Sequence, residues 1–594
     1  MDLYNFSSDS ESSDSAIFEG FSAHDVARAG EIQSAVNRHQ LSSVSSASSS
    51  SSESDSDNSD SDLPPIDVQA DPPDWTTDFV PIHVPPFTLQ SGPNLPHGWD
   101  IYSTPLKYFQ LFFTPQIIDE IVQHTNSYAE ITIKKKRDVF PTFQDKQWSL
   151  DGSNNLTLDE LSAYLGCCLI LSANPAHQLK HVFSSDPYMN NHGIRSVFTL
   201  RRFTKIGQYI CIYDKKNEPG RNSPQYDKMY KIKNIVHHLN TTFPKYYRFS
   251  ESQAIDESLV KTKCRLSEIQ YCPDKPACRG LKVWCRCDSK NSTSCYPFRF
   301  EPYMGKKHTN VSNKGLYYDV VYRLCSDLKG SNVKLYFNNL YNSLALIQNL
   351  QRDGIWATGT IRSNRIGLHP NVKKPPKLVR GEYKIYQDKK NPNWTCCVWQ
   401  DTKAVRYASV ACDPSVQAVA VRRISRNYVR VNQPLVSQRY NQHYKSIDLL
   451  DQYLSAYPIS RRTYRSWKHI WWFCFQASVI NAYILYKETH PGPLPKSYSH
   501  LDFRIALGKE MIGNFSNRQQ NPFTKPLFIG PDAPGRNEQF INHENKKLDP
   551  PKLRVCKPHK RYHGVTKRTV YACESCSVSL CKNCHVRWHN PNMT

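Results

Sequence analysis

Between Ser250 and Cys264 the chain reads SESQAIDESLVKTKC, where Asp256 and Glu257 lie between one short apolar step and a second, Leu259 and Val260. This is the pattern of a half-buried strand. An acid held in such a strand has two fates. It projects toward other carboxylates and holds a divalent cation through hard oxygen ligands, or it is a solvated surface acid, which is the commoner case. Companion residues elsewhere in the chain decide between the two.

At 594 residues the chain can bury large cores and is expected to form several domains. Its formal net charge of +23 predicts a polyanionic partner, nucleic acid ahead of a membrane, because no lipidation or strong amphipathic signal accompanies the charge. The opening MDLYNFSSDSESS has neither a positive n-region nor an apolar h-region, so a cytosolic or nuclear chain is expected. The longest apolar run, Ile470 to Tyr486, is shorter than a membrane span and is broken by Gln476, Ser478 and Asn481, so it reads as a buried helix. Most cysteines are scattered, with a tight cluster near the C-terminus, which favours thiols and metal ligation over a disulfide framework.

Composition divides the chain. Residues 1–95 are expected to form a disordered tail, acidic and Ser-rich up to about 62 and Pro/Asp-rich beyond, because almost nothing there repays the entropy of ordering. Residues 101–249 read as the first part of a helical domain. In PLKYFQLFFTPQIIDEIVQHTNSYA the apolar residues recur at helical spacing and Pro115 lies where a new helix can start. LTLDELSAYLGCCLILSA repeats the pattern, with Thr157 and Glu160 spaced as a capping box, and SVFTLRRFTKIGQYI adds a third segment.

Residues 250–362 read as the first part of a mixed α/β core, with strands at Leu281–Cys287, Tyr296–Phe300 and Val333–Phe337 and a helix over Gly315–Leu328. Residues 363–430, including WTCCVWQ and KAVRYASVA, read as a β-rich insertion. The core is expected to resume over 431–457 with SIDLLDQYL, the helical domain over 458–517, then a linker at 518–552 and a Cys/His module at 553–592.

Asp448 and Asp451 are three apart, so on a helix both carboxylates share one face. If that helix abuts the sheet, Asp448 could complete a metal site with Asp256 while Asp451 adds a further ligand; spacing alone leaves a solvated helix face the ordinary explanation. The chain also resembles the piggyBac transposase family, in particular its domesticated, transposable-element-derived members. The pieces that carry the resemblance are PLKYFQLFFTPQIIDEIVQHTNSYA, AIDESLV, WATGTIRSNR, VWQDTKAV and YNQHYKSIDLLDQY, in that order, followed by a terminal Cys/His array.

The resemblance implies an α/β, RNase H-like DDE core interrupted by a β-rich insertion, flanked by a helical domain for dimerisation and DNA binding, with a C-terminal zinc module. It implies catalysis by two Mg²⁺ ions at a three-Asp site. The first Asp matches Asp256, the third Asp448, and the acid that follows in the same motif Asp451. The second position departs from the family: LYFNNLYNS places Asn338 where the family carries Asp. An amide offers one neutral carbonyl oxygen and cannot neutralise two divalent ions. Asn339 is neutral too, and no acid follows until Asp353.

The terminal array stands apart from the resemblance. Cys556 and His559 form a C-x2-H pair, Cys573 with Cys576 and Cys581 with Cys584 form C-x2-C pairs, and His589 lies five residues beyond. Thiolate and imidazole ligands at these intervals fit structural Zn²⁺, and two ions need an eighth ligand, either His563 or His585. A cross-braced arrangement pairs Cys556 and His559 with Cys581 and Cys584. Lys557, Lys560, Arg561, Lys567, Arg568 and Arg587 could supply phosphate contacts, or equally form a solvated face or a nuclear-import signal.

The leading expectation is a nuclear protein that binds double-stranded DNA, with a transposase-like centre impaired at Asn338. The alternatives are an active Mg²⁺-dependent transposase or nuclease with an unconventional two-metal site, and a chromatin or protein-interaction factor. Mg²⁺ is expected only if the core retains activity. Further partner classes are a second copy of the chain and chromatin proteins, with no membrane.

Overall fold

The computed structural model describes residues 72–262, 268–272, 275, 278–305, 311–424, 427–459, 463, 465–490, 498–518, 545–547, 553–556, 559, 566–573, 578–582 and 584. The chain divides into two compact units, residues 1–515 and 516–594.

The helical layer of the first unit is drawn from both sides of the sheet in sequence: α1 (Pro115–Val139), α2 (Leu158–Ala173) and α3 (Leu200–Tyr209) precede it, and α4 (Ser446–Ala456), α5 (Ser466–Thr489) and α6 (His500–Ile512) follow. Pro115 opens α1, where its missing N–H costs nothing, and the Thr114 side chain accepts from the Ile117 N–H. The long apolar run lies within α5, which is buried through most of its length. Phe109 and Phe113 pack edge-on against Phe475 and Trp471 of α5, with ring centroids 5.4 and 5.6 Å apart, so segments more than 350 residues apart share one core. Thr157 caps α2 by accepting from the Glu160 N–H, as its spacing predicts, but the Glu160 carboxylate faces inward and is held by Arg202 of α3. Among the described residues no helix is long and apolar enough to cross a membrane.

The sheet has ten strands among the described residues. Its principal members are β1 (Ser252–Lys261), β2 (Arg279–Asp288), β3 (Pro297–Pro302), β4 (Lys334–Phe337), β5 (Trp356–Thr360), β6 (Tyr383–Asp388), β7 (Thr395–Gln400) and β8 (Ala404–Ser409). β3, β2 and β1 are antiparallel neighbours; β1, β4 and β5 run parallel. Beyond β5 the order continues through β8, β7 and β6, all antiparallel.

Two segments differ from the sequence expectation. Residues 363–430 are β-rich, but β6, β7 and β8 extend the central sheet, where β8 pairs with the backbone groups that β5 would otherwise leave bare. Within this segment, among the described residues, the hairpin of Gln417–Ile424 with Asn427–Pro434 forms a separate sheet. Of the tail, residues 1–71 lie outside the described residues, whereas residues 72–95 are fastened to the core. Trp75 pairs with Asp388 at the sheet edge and donates its indole N–H to the Gly367 carbonyl at 2.9 Å, and Val80 exchanges two hydrogen bonds with the Gln387 side chain. Backbone pairing gives this Pro-rich stretch the order its own apolar content could not supply. The expected linker at 518–552 lies almost wholly outside the described residues.

α2 and α6 cross with a glycine on each helix. A Cβ at Gly166 would come within 2.5 Å of the Gly508 carbonyl oxygen, and one at Gly508 within 3.0 Å of the Gly166 carbonyl oxygen. The backbones touch because neither residue has a side chain. Gly166→Ala is therefore expected to force the helices apart and cost about 1–3 kcal/mol of stability, the range for overpacking a dense core. An unchanged urea unfolding midpoint would show that the crossing is not so close.

Candidate active site and metal centre

The first candidate site is built by strand register. β1 and β4 are parallel with Ile255 opposite Phe337, so Asp256 comes level with Asn338, the residue immediately after β4. On β1 the side-chain period of two puts Ser258 on the same face as Asp256. On α4 the three-residue spacing puts Asp448 and Asp451 on one face, and Ile447 and Leu450, both fully buried, seat the helix.

The side chains meet around Lys275. Its ammonium lies 2.7 Å from Asp256 Oδ2 and 3.0 Å from Asp448 Oδ1. Asn338 Nδ2 donates to Asp256 Oδ1 at 2.9 Å, while Asn338 Oδ1 accepts from the Leu340 N–H at 2.9 Å. Asp451, one turn along α4, accepts from the Ser258 hydroxyl. Glu257 accepts from the Tyr341 hydroxyl at 2.9 Å. Asp353 follows the helix Leu344–Arg352 and pairs with Lys329 at 3.2 Å.

Burial pushes the carboxyls of Asp256 and Asp451 up to about 7 against the opposing pull of Lys275. Burial draws the Lys275 ammonium the other way, but Asp256 and Asp448 hold it well above the usual lysine range. Each charge thus depends on the others. As arranged, the donor set does not fit a pair of divalent ions: both Asp256 oxygens and one of Asp448 already face hydrogen-bond donors. Asp256, Asn338, Asp448 and Asp451 are all sequence candidates, whereas Lys275 is not. It lies in a stretch without periodic pattern, 19 residues from Asp256 and 173 from Asp448, and no local signal marks it.

The second candidate site lies in the C-terminal unit. The strands Arg554–Val555 and Arg568–Thr569 pair and set Cys556 at their end. Ligand atoms of Cys556, Cys581 and Cys584, all buried, lie within 4.8 Å of one another. His559 Nδ1 is 3.6 Å from Cys581 Sγ and 3.4 Å from Cys584 Sγ. Three thiols and an imidazole converging in this way form a set that can hold a metal ion. This is one metal-ligating cluster among the described residues where the sequence analysis expects two. Cys573 is buried on the strand Tyr571–Cys573, and its expected companions Cys576, His563, His585 and His589 lie outside the described residues. So do Lys557, Lys560, Arg561 and Arg587, whereas Lys567 and Arg568 are exposed.

Comparison with known proteins agrees with this architecture. The family model described as Transposase IS4 matches residues 104–483. The human piggyBac transposable element-derived protein 5 is 25% identical over 428 residues, covering 68% of this chain and 75% of its own. The human piggyBac transposable element-derived protein 3 is 24% identical over 502 residues, covering 82% and 77%. Among solved structures, the piggyBac transposase in a synaptic complex with hairpin DNA superposes with a TM-score of 0.60 at 20% identity, over 83% of this chain and 100% of that one.

If the three thiols hold a metal, Cys584→Ser should lower the metal content of the purified protein by about one equivalent, since a tetrahedral structural site is not retained with a hydroxyl in place of a thiolate. Inductively coupled plasma mass spectrometry reads this directly. Equal metal in wild type and variant would remove Cys584 from the ligand set.

Proposed function

Because the chain belongs to the Transposase IS4 family, among its piggyBac members, we propose that it is a DNA-binding protein of transposase descent whose strand-transfer centre is impaired. The observation that carries the reading is Asn338. It occupies the position beside Asp256 at the end of β4 and directs an N–H toward that carboxylate, where a catalytic site would direct a third oxygen toward metal. In the order β3-β2-β1-β4-β5, three antiparallel strands are followed by two parallel ones, in support of an RNase H-like core. Asp256, Asn338 and Asp448 are its vestigial catalytic positions, with Asp451 beside them.

Duplex DNA is the partner that the net charge of +23 and the piggyBac relationship support, and a second copy of the chain is the natural partner in binding it. The Cys/His unit takes structural Zn²⁺ in a cross-brace. Cys556, His559, Cys581 and Cys584 would hold one ion; Cys573, with Cys576, His589 and either His563 or His585, which lie outside the described residues, would hold the second. Lys567 and Arg568, exposed beside the cluster, are suited to phosphate contact. A nuclear location is the reading that a duplex-DNA partner supports.

Full-length protein should bind duplex DNA with a strong salt dependence, losing on the order of 10³-fold in affinity between roughly 50 and 200 mM salt if about six phosphates are contacted. It should leave supercoiled DNA unnicked in Mg²⁺. Salt-independent or absent binding would favour the protein-interaction alternative. Robust Mg²⁺-dependent nicking lost in Asp256→Ala would overturn the impairment.

A further inference from the structure

The carboxylates of Asp256 and Asp448 already face an ammonium. We propose that the Lys275 ammonium is the resident cation of this site, so that the protein has exchanged a divalent-metal centre for an internal Lys–Asp ion cluster that holds β1 and α4 together without metal. This deepens the impaired-centre reading and rests on it.

Three observations carry the inference. Lys275 bridges Asp256 on β1 and Asp448 on α4, the two acids that a shared divalent ion would have to join, at 2.7 and 3.0 Å. Its side chain is only 11% exposed, so this is not a surface lysine resting on a nearby acid. Asn338 completes the arrangement by its orientation: the Leu340 N–H requires an acceptor and takes Oδ1, which turns Nδ2 toward Asp256 Oδ1. A flipped amide would set two donors against each other at Leu340. Asp256 consequently faces an ammonium on one oxygen and an amide N–H on the other.

The chemistry matches a monovalent cation. An ammonium offers three donors and can serve two carboxylates at once, whereas Mg²⁺ demands near-octahedral oxygen ligands that an amide N–H opposes. Restoring a carboxylate at 338 while Lys275 remains would place a third acid around one ammonium. It would not by itself reopen the position in which a metal must sit.

The test uses the full-length chain as wild type, Lys275→Met, Asn338→Asp and the Lys275→Met/Asn338→Asp double variant, titrated with Mn²⁺ by calorimetry and followed by thermal unfolding. Mn²⁺ should not shift the wild-type unfolding midpoint. Lys275→Met should lower the midpoint, and Mn²⁺ should restore at least half of the loss, because the abandoned carboxylates then accept an external cation. The double variant should bind Mn²⁺ at least tenfold more tightly than Asn338→Asp, and Asp256→Asn should abolish that added binding. If Lys275→Met does not fold, Lys275→Met/Asp448→Asn, which removes one charge of each sign, should fold where the single variant fails; failure of that variant too would overturn the proposal. Wild type binding Mn²⁺ as tightly as the double variant, Asn338→Asp doing so alone, or Lys275→Met unaffected by Mn²⁺ would each overturn it. DNA affinity of the wild type, measured in parallel, reports on the functional reading: its loss leaves the metal titration to be judged by itself.

Discussion

The parallel register of β1 with β4 is the constraint on which the centre depends. Pairing Ile255 with Phe337 makes Asp256 and Asn338 neighbours, and a slip of one residue would turn one of them to the opposite face of the sheet. The register is secured from both sides: β1 is also paired with β2 along nearly its whole length, and β4 with β5. Two strands so held define a rigid platform, and α4 needs only the burial of Ile447 and Leu450 to bring its acids over it. The chemistry of the site is therefore decided by which side chains stand at three backbone positions the fold has already fixed.

Buried charge is handled differently inside the centre and outside it. Arg202 grips Glu160, and Arg286 takes Asp327 with two parallel hydrogen bonds of 2.6 and 2.8 Å. Burial would raise the Asp327 carboxyl, yet Arg286 holds it below its ordinary value. There the pair satisfies itself. At the centre burial prevails, and Asp256 and Asp451 are both raised to about 7. The difference is stoichiometric: one ammonium stands among several carboxylates, where each structural pair has its own guanidinium. Incomplete compensation of this kind leaves burial free to raise carboxyl groups that a matched ion pair would hold down.

Much of this was legible in the sequence because it is local. The period of apolar residues in α1, α2 and α5, the cap at Thr157 and the spacing of Asp448 and Asp451 all depend on neighbours within a turn or two. The neutrality of Asn338 needs only its identity. What escaped depends on pairing at long range. Asp74 meets Asp388 across 314 positions, so a Pro-rich tail that looks unable to fold is ordered by a sheet edge it cannot foresee. The alternation within β6, β7 and β8 is equally compatible with an insertion and with an extension of the sheet, since composition does not say which edge a strand joins. Lys275 was invisible for the same reason, as one lysine of many whose role is set by two distant acids.

Asn338 and Lys275 are best understood together, through the charge each requires of the other. Carboxylates at 256, 338 and 448 around a single ammonium would leave two uncompensated negative charges in a largely buried space, a cost that divalent ions offset and an ammonium cannot. With the amide at 338, two carboxylates face Lys275 directly and the remaining Asp256 oxygen receives a neutral donor. Conversely, an amide at 338 without Lys275 would leave Asp256 and Asp448 with a metal position one charged ligand short. Under the proposal above, each residue is costly in the absence of the other, and the pair stands in place of the metal. Through these two ion pairs Lys275 joins β1 to α4.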